Sequence, residues 1–221
     1  MRIHTHTVAL ALMVSAATAS IASPIAAFQV NPAHAHIGHV ADGFRGTPEG
    51  QGLLPVAVAE AETAHQHATL AARDPASLDA MQRHAGHVLH ALDPSTVESG
   101  PGAGYGVLPA TSGAVQHIEL AAASDGASDG VKTHATHVAT AAASARSNAE
   151  AAIDLAEQIQ EAETAEEAAG LLEQLTGLTD AIVNGVDADG DGRIGWQEGE
   201  GGLAQAVQHV NLMKRGEGIE G

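Results

Sequence analysis

Gln66-His67-Ala68-Thr69-Leu70-Ala71-Ala72-Arg73-Asp74-Pro75-Ala76-Ser77-Leu78-Asp79-Ala80-Met81-Gln82-Arg83-His84-Ala85-Gly86-His87-Val88 reads as two helical segments joined by a turn. Proline is tolerated in the first turn of a helix but not in its interior, so Asp74-Pro75 ends one helix and begins the next. Folded as an antiparallel hairpin, the segment puts His67 about as far before the turn as His84 lies after it. Histidines three apart on a helix share a face, with about 5–6 Å between Cβ atoms. His67, His84 and His87 are therefore expected to meet at one level.

The same text recurs. Residues 115–142 align without a gap to residues 65–92, repeating Gln66, His67, Leu70, Asp79, His84, His87 and Val88 among others. The equivalent arithmetic about Asp125-Gly126 predicts a second set, His117, His134 and His137. His36, His39 and His209 are left to form a third if the termini come together. Three elements repeat in a fixed order: His-x-x-His-Val at 36, 84 and 134; Gly-x-Gly-x-Leu at 50, 104 and 199; Gln-His at 66, 116 and 208. Such repetition marks a duplicated unit. Helices are expected over 53–73, 76–92, 110–123 and 129–162, with a Gly-, Pro- and Ser-rich loop over 93–109. Alanine is abundant and aromatics make up only 2% of the chain, a helix-forming composition whose helices can approach closely. The fold class read from this is all-α: an antiparallel helical bundle built from repeated helix pairs.

With no cysteine, the chain has no thiolate sites, disulfides or covalent haem attachment. Soft-metal chemistry must run through His, Met and carboxylates. Three neutral imidazoles suit copper, zinc or nickel rather than calcium or magnesium. Met81 and Met213 lie near histidines in sequence, but core packing is the expected role of both. His65 and His90 are rotated away from the sets. Bis-imidazole ligation of non-covalent haem, in an electron-transfer or carrier protein, is the main alternative. A third is an interaction protein with structural histidines and a calcium-set surface. No general base stands at a fixed spacing from the histidines, so an enzyme is the least supported reading.

Between Asp187 and Glu198 the chain reads Asp-Ala-Asp-Gly-Asp-Gly-Arg-Ile-Gly-Trp-Gln-Glu. Carboxylates at loop positions 1, 3 and 5, glycine at 6 and glutamate at 12 suit a hard cation needing six or seven oxygens. The stretch resembles the EF-hand calcium loop, a resemblance that implies Asp187, Asp189, Asp191, Arg193 and Glu198 as calcium ligands, with Ile194 packing inward. Thr164 to Glu167 fits a capping box that starts the incoming helix. Gly199, Gly201 and Gly202 disfavour a helix immediately after Glu198, so the exit helix is expected to wait until about Leu203. Residues 164–221 are read as an EF-hand-like helix–loop–helix packed on the bundle of residues 36–163. In its alanine-rich helices and His-x-x-His placement over about residues 56–145, the chain also resembles the periplasmic small metal-binding family of helical bundles. That likeness implies metal storage or buffering without catalysis.

The first 35 residues read as a signal peptide: Arg2, an apolar run from Val8 to Ala22, and a small-x-small site at Ala33-His34-Ala35. Cleavage there would leave His36 as the new amino terminus; Ala19, Ala22 and Ala27 are alternative sites. The mature protein is then periplasmic or secreted. A net charge of −18 argues against nucleic acid or anionic membranes and favours metal ions as partners. No other stretch is long and apolar enough to span a bilayer.

Overall fold

The computed structural model describes residues 31–219, and all of its regular structure is helical. Seven α-helices follow in order: α1 (Pro32–Ala41), α2 (Leu53–Ala71), α3 (Leu78–Leu92), α4 (Val107–Ala123), α5 (Asp129–Glu161), α6 (Ala165–Asn184) and α7 (Leu203–Glu217), with a short 3-10 turn at Pro48–Gly50. The 33-residue α5 is the spine, packed against α3, α4, α6 and α7. On the other side α2 packs on α3, α4 and α6, and α1 lies mainly on α4. No helix among the described residues is long and apolar enough to cross a membrane.

Alanine sets the packing distance. Along α5 the fully buried positions Ala141, Ala142, Ala145, Ala149, Ala152 and Ala156 form a stripe of methyl groups. Small contact residues let helix axes approach toward the short end of the usual 8–10 Å range. Larger side chains such as Ile37, Leu54, Met81, Leu92, Ile118, Ile159, Leu175 and Met213 fill the remaining volume, each almost wholly buried. Both methionines therefore serve the core.

Caps explain most boundaries. Asn31, Ser77 and Ser128 accept hydrogen bonds from the first turns of α1, α3 and α5, and Thr164 with Glu167 forms the expected box at α6. Ser77 starts α3 at Leu78, so Pro75 lies in the connecting turn rather than in the helix expected from 76. The helix expected from 110 begins at Val107 instead, because Pro109 is tolerated in a first turn.

α1 is a helix the sequence reading left out, and it overlaps the boundary placed after Ala35. That cut would fall inside α1, removing the Asn31 cap and the fully buried Ala33. Of the cleavage sites considered, Ala19, Ala22 and Ala27 leave α1 whole; they and the apolar run lie outside the described residues.

The Gly-x-Gly-x-Leu elements have a steric explanation. Gly52 and Gly106, the second glycines of the first two elements, and Gly202, one residue beyond the second glycine of the third, are the N-cap residues of α2, α4 and α7. A Cβ on Gly52 would stand 2.5 Å from the Ala41 carbonyl carbon, and one on Gly202 would stand 2.4 Å from the Gly185 amide nitrogen. Each helix start is pressed against the backbone end of an earlier helix, where no side chain fits.

Gly202→Ala is expected to destabilise the fold by about 1–3 kcal/mol, since the obstacle is backbone and cannot rotate away. Gly177→Ala, on an open face of α6 with nothing within 4 Å of the added methyl, should stabilise it by up to about 1 kcal/mol. Urea midpoints of the two variants measure the contrast, and equal midpoints would contradict it.

Candidate metal centres

Nine histidines converge in threes: His36, His39 and His117; His67, His84 and His87; His134, His137 and His209. In each set an i, i+3 pair from one helix (α1, α3 or α5) meets a single ring from another (α4, α2 or α7). The hairpin of α2 and α3 brings His67, His84 and His87 together as the repeat arithmetic predicts. The other two sets are regrouped. His117 faces the α1 pair rather than His134 and His137, and His209 joins the α5 pair rather than His36 and His39. Matching distances from a turn fix the height of a ring along its helix but not the neighbour it faces. α4 lies between α1 and α5, and its histidine turns toward α1.

All three sets present the same atoms. The Nδ1 of the single ring lies 3.0 and 3.4 Å from those of His36 and His39, 3.0 and 3.2 Å from those of His84 and His87, and 3.1 and 3.4 Å from those of His134 and His137. Hydrogen bonding among the rings cannot satisfy this arrangement. A neutral Nδ1 has either one proton or one in-plane lone pair, so it serves one partner, not two. A metal ion can satisfy it. Bonds of about 2.0–2.1 Å in tetrahedral geometry space ligand nitrogens about 3.3–3.4 Å apart, and right-angled ligands about 2.9 Å apart.

The rings are half-buried, and six of them are biased toward the neutral form that ligation requires. Burial, and then the neighbouring rings, lower the pKa of His67, His117, His137 and His209, the last to about 4. For His84 and His87 burial is again the largest cause, with Arg83 contributing to both. Among the described residues, no carboxylate or backbone carbonyl accepts a hydrogen bond from any of the nine. The other described histidines each have a protein partner: His34 meets Glu217, His65 meets Thr179, and His90 meets the carbonyl of Val97.

Two aromatic residues that sequence reasoning did not tie to the histidines pack on the sets. Phe44 meets His39 and His117 edge-on, and Trp196 stacks on His137. His90 is buried beneath the 93–106 loop, close to Gly100.

In the acidic segment, the carboxylates of Asp187, Asp189 and Asp191 cluster at the surface. Asp187 accepts from the amides of Gly190 (2.8 Å) and Gly192 (2.9 Å), and Asp191 from that of Arg193 (2.8 Å). Glu198 does not join them; its residue lines a cavity of about 520 Å³ with Glu119, Thr140 and Ser147, between the α4–α5 pair and the loop. α7 starts only at Leu203, as the glycines predict, so Glu198 has no helical turn to swing it back toward the loop. Ile194, expected to pack inward, is 39% exposed. The glutamate that the fold does use is Glu200. Buried, it accepts from the Gly195 amide at 3.0 Å through its side chain and from the Val186 amide at 2.9 Å through its carbonyl.

No family model matches the chain, and no curated protein or solved structure shows significant similarity to it. The chemistry of the centres is therefore argued from their geometry.

Lowered histidine pKa values mean that the folded state binds fewer protons than the unfolded chain over the interval between the two values. Stability then falls as pH falls. The metal-free protein is expected to lose thermal stability from pH 6.5 down toward about 4, the value reached by His209, and the part of the slope due to His209 should disappear in His209→Ala. Melting temperatures across that range test this, and a flat profile for the unsubstituted protein would contradict it.

Proposed function

We propose that this is an exported protein that binds transition-metal ions, copper, zinc or nickel, at three tri-imidazole centres and serves to store or buffer them. The observation that carries this reading is the convergence of three imidazoles in each set, the single ring's Nδ1 lying 3.0–3.4 Å from both partners' Nδ1, separations that a four- or six-coordinate ion would impose. An all-nitrogen, neutral donor set favours borderline ions over calcium or magnesium.

Storage is favoured over catalysis by what surrounds the rings. Metal-ligating histidines in retained sites usually donate their second nitrogen to a carboxylate or carbonyl, which fixes the ring and raises its basicity. With rings held mainly by one another, bound ions should exchange. Three similar centres on a duplicated frame add capacity rather than a reaction. Haem fits the geometry less well. Two axial nitrogens on one iron stand about 4 Å apart, twice a metal–nitrogen bond, with a macrocycle between them. A single-ring Nδ1 that stands 3.0–3.4 Å from both of its partners leaves no room for a macrocycle between them.

The acidic segment is proposed as a separate calcium site. Support comes from the EF-hand spacing of Asp187, Asp189 and Asp191 and from the clustering of their carboxylates. Completion of the shell by Glu198 would require that side chain to leave the cavity it lines. Export is supported by the amino-terminal sequence and by the start of α1 at Pro32, which leaves a complete helix after cleavage at Ala19, Ala22 or Ala27.

The metal-free protein should take up about three equivalents of zinc or copper, one for each histidine set. Replacing both His84 and His87 by alanine should reduce this to about two; elemental analysis that still finds three would remove that centre. Affinity should decline as pH falls, because protonated imidazole cannot ligate, and at the second centre, where burial lowers all three pKa values, the decline should begin only below the usual histidine value of 6.5. Asp187→Ala should abolish any rise in melting temperature produced by calcium, and an unchanged rise would refute the assignment of the acidic loop.

A further inference from the structure

The three histidine sets differ in what covers them. At the third, the indole of Trp196 lies flat on the His137 ring, with centroids 3.8 Å apart and planes 18° from parallel, and stands edge-on to His209 at 6.5 Å. At the first, Phe44 meets His39 and His117 only edge-on, at 5.5 and 5.1 Å. At the second, the only ring contacts among the described residues are those of the histidines with one another. Beside that second set stands no further ring but the cationic Arg83, which directly precedes His84 and lies four residues before His87 on α3.

Trp196 is not carried on a free loop. The amide of Gly195 donates to the buried Glu200 carboxylate at 3.0 Å, and the amide of Gly199 donates to Ser144 Oγ on α5 at 3.0 Å. Gly201 lies so close to α5 that a Cβ there would stand 2.8 Å from the Ala141 Cβ. His137, Ala141 and Ser144 follow the i, i+4, i+7 pattern of one helix face. The segment from Gly195 to Gly201 is thus a strap pinned along α5, with Trp196 clamped at the end that carries the imidazole.

We propose that Trp196 is a positioning residue for the third centre, holding the His137 ring with its Nδ1 toward His209, so that this centre is the first of the three to take up a divalent transition-metal ion. The proposal rests on reading the histidine sets as metal centres. A ring that rotates freely must lose that freedom on ligation, a cost already met where the ring is clamped. At the second centre the ion gains no such clamp.

The test is a titration of the metal-free full-length protein with Cu²⁺, following the emission of Trp196, the chain's only tryptophan. Most of the quenching should fall within the first of three equivalents. His209→Ala should move it out of the first equivalent. Followed by isothermal titration calorimetry with Cu²⁺, because these variants lack the fluorescent reporter, Trp196→Ala should weaken the tightest binding step by about tenfold while leaving the total number of ions unchanged, and Trp196→Phe should restore most of the loss. Circular dichroism checks that the variants keep their helices. Quenching spread evenly over three equivalents, or an unchanged first step in Trp196→Ala, would overturn the proposal while leaving the metal centres standing. Failure to bind copper at all would overturn both.

Discussion

Each of the nine converging imidazoles immediately precedes a core residue, and the centres depend on that adjacency. Ile37, Val40, Ala68, Ala85, Val88, Ile118 and Val138 are fully buried, and Ala135 and Val210 are 2% exposed. One residue is about 100° of helical rotation. A histidine just before a core position therefore stands on the boundary, with one edge against packed methyl groups and the other turned to the adjacent helix. The alanine stripes complete the arrangement by letting helix axes come close enough for rings on separate helices to meet. Replacing those alanines by leucine throughout would preserve an amphipathic bundle but hold the imidazoles apart.

The same adjacency explains what could be read from the sequence. All-α architecture, most helix spans and the late start of α7 were legible because they follow from local rules: composition, caps and glycine placement. The His67, His84 and His87 set was legible because a tight hairpin leaves one partner for each helix. The other sets were not. His117 and His134 have the same separation as His67 and His84, yet α4 has α1 on its other side, and α1 sits where the sequence suggested a signal peptide boundary. Long-range docking, rather than periodicity, decided the pairing. The burial pattern around each ring was nonetheless present in the text. His34 and His65 are followed by exposed residues and join no set, whereas each converging histidine is followed by a buried Ala, Val or Ile; His90 precedes the buried Ala91 as well, but its ring is taken up by the Val97 carbonyl.

Glycine governs the carboxyl-terminal segment in two opposed ways. Gly190 and Gly192 adopt positive φ angles of 76° and 84°, which let the chain turn tightly around the Asp187 carboxylate. Gly199, Gly201 and Gly202 then postpone the next helix, which removes the lever that would bring Glu198 to the acidic cluster. The residues freed by this delay become the strap on α5, and Glu200 takes over the work of holding it closed. A sequence that resembles a calcium loop through its twelfth position thus differs from one in how its end is anchored. Its twelfth residue lines a cavity together with Glu119, while its tryptophan rests on a histidine of the third set.

That anchoring ties the acidic segment to the third histidine set through packing alone. Any change that lifts the strap must also strip the indole from His137, and any ion that fixes His137 gives Trp196 a more rigid surface to lie on. The first and second sets lack this connection, since Phe44 touches its rings only by an edge and Arg83 brings charge without a clamp. The repeated frame thus presents three donor sets with the same three atoms and unequal aromatic cover. Ligands of one chemistry held with different freedom bind the same ion with different affinity, because the entropy lost on ligation differs while the bonds formed do not. For a buffering protein that inequality is useful: a graded series of centres holds the free concentration of an ion over a wider range than three identical ones.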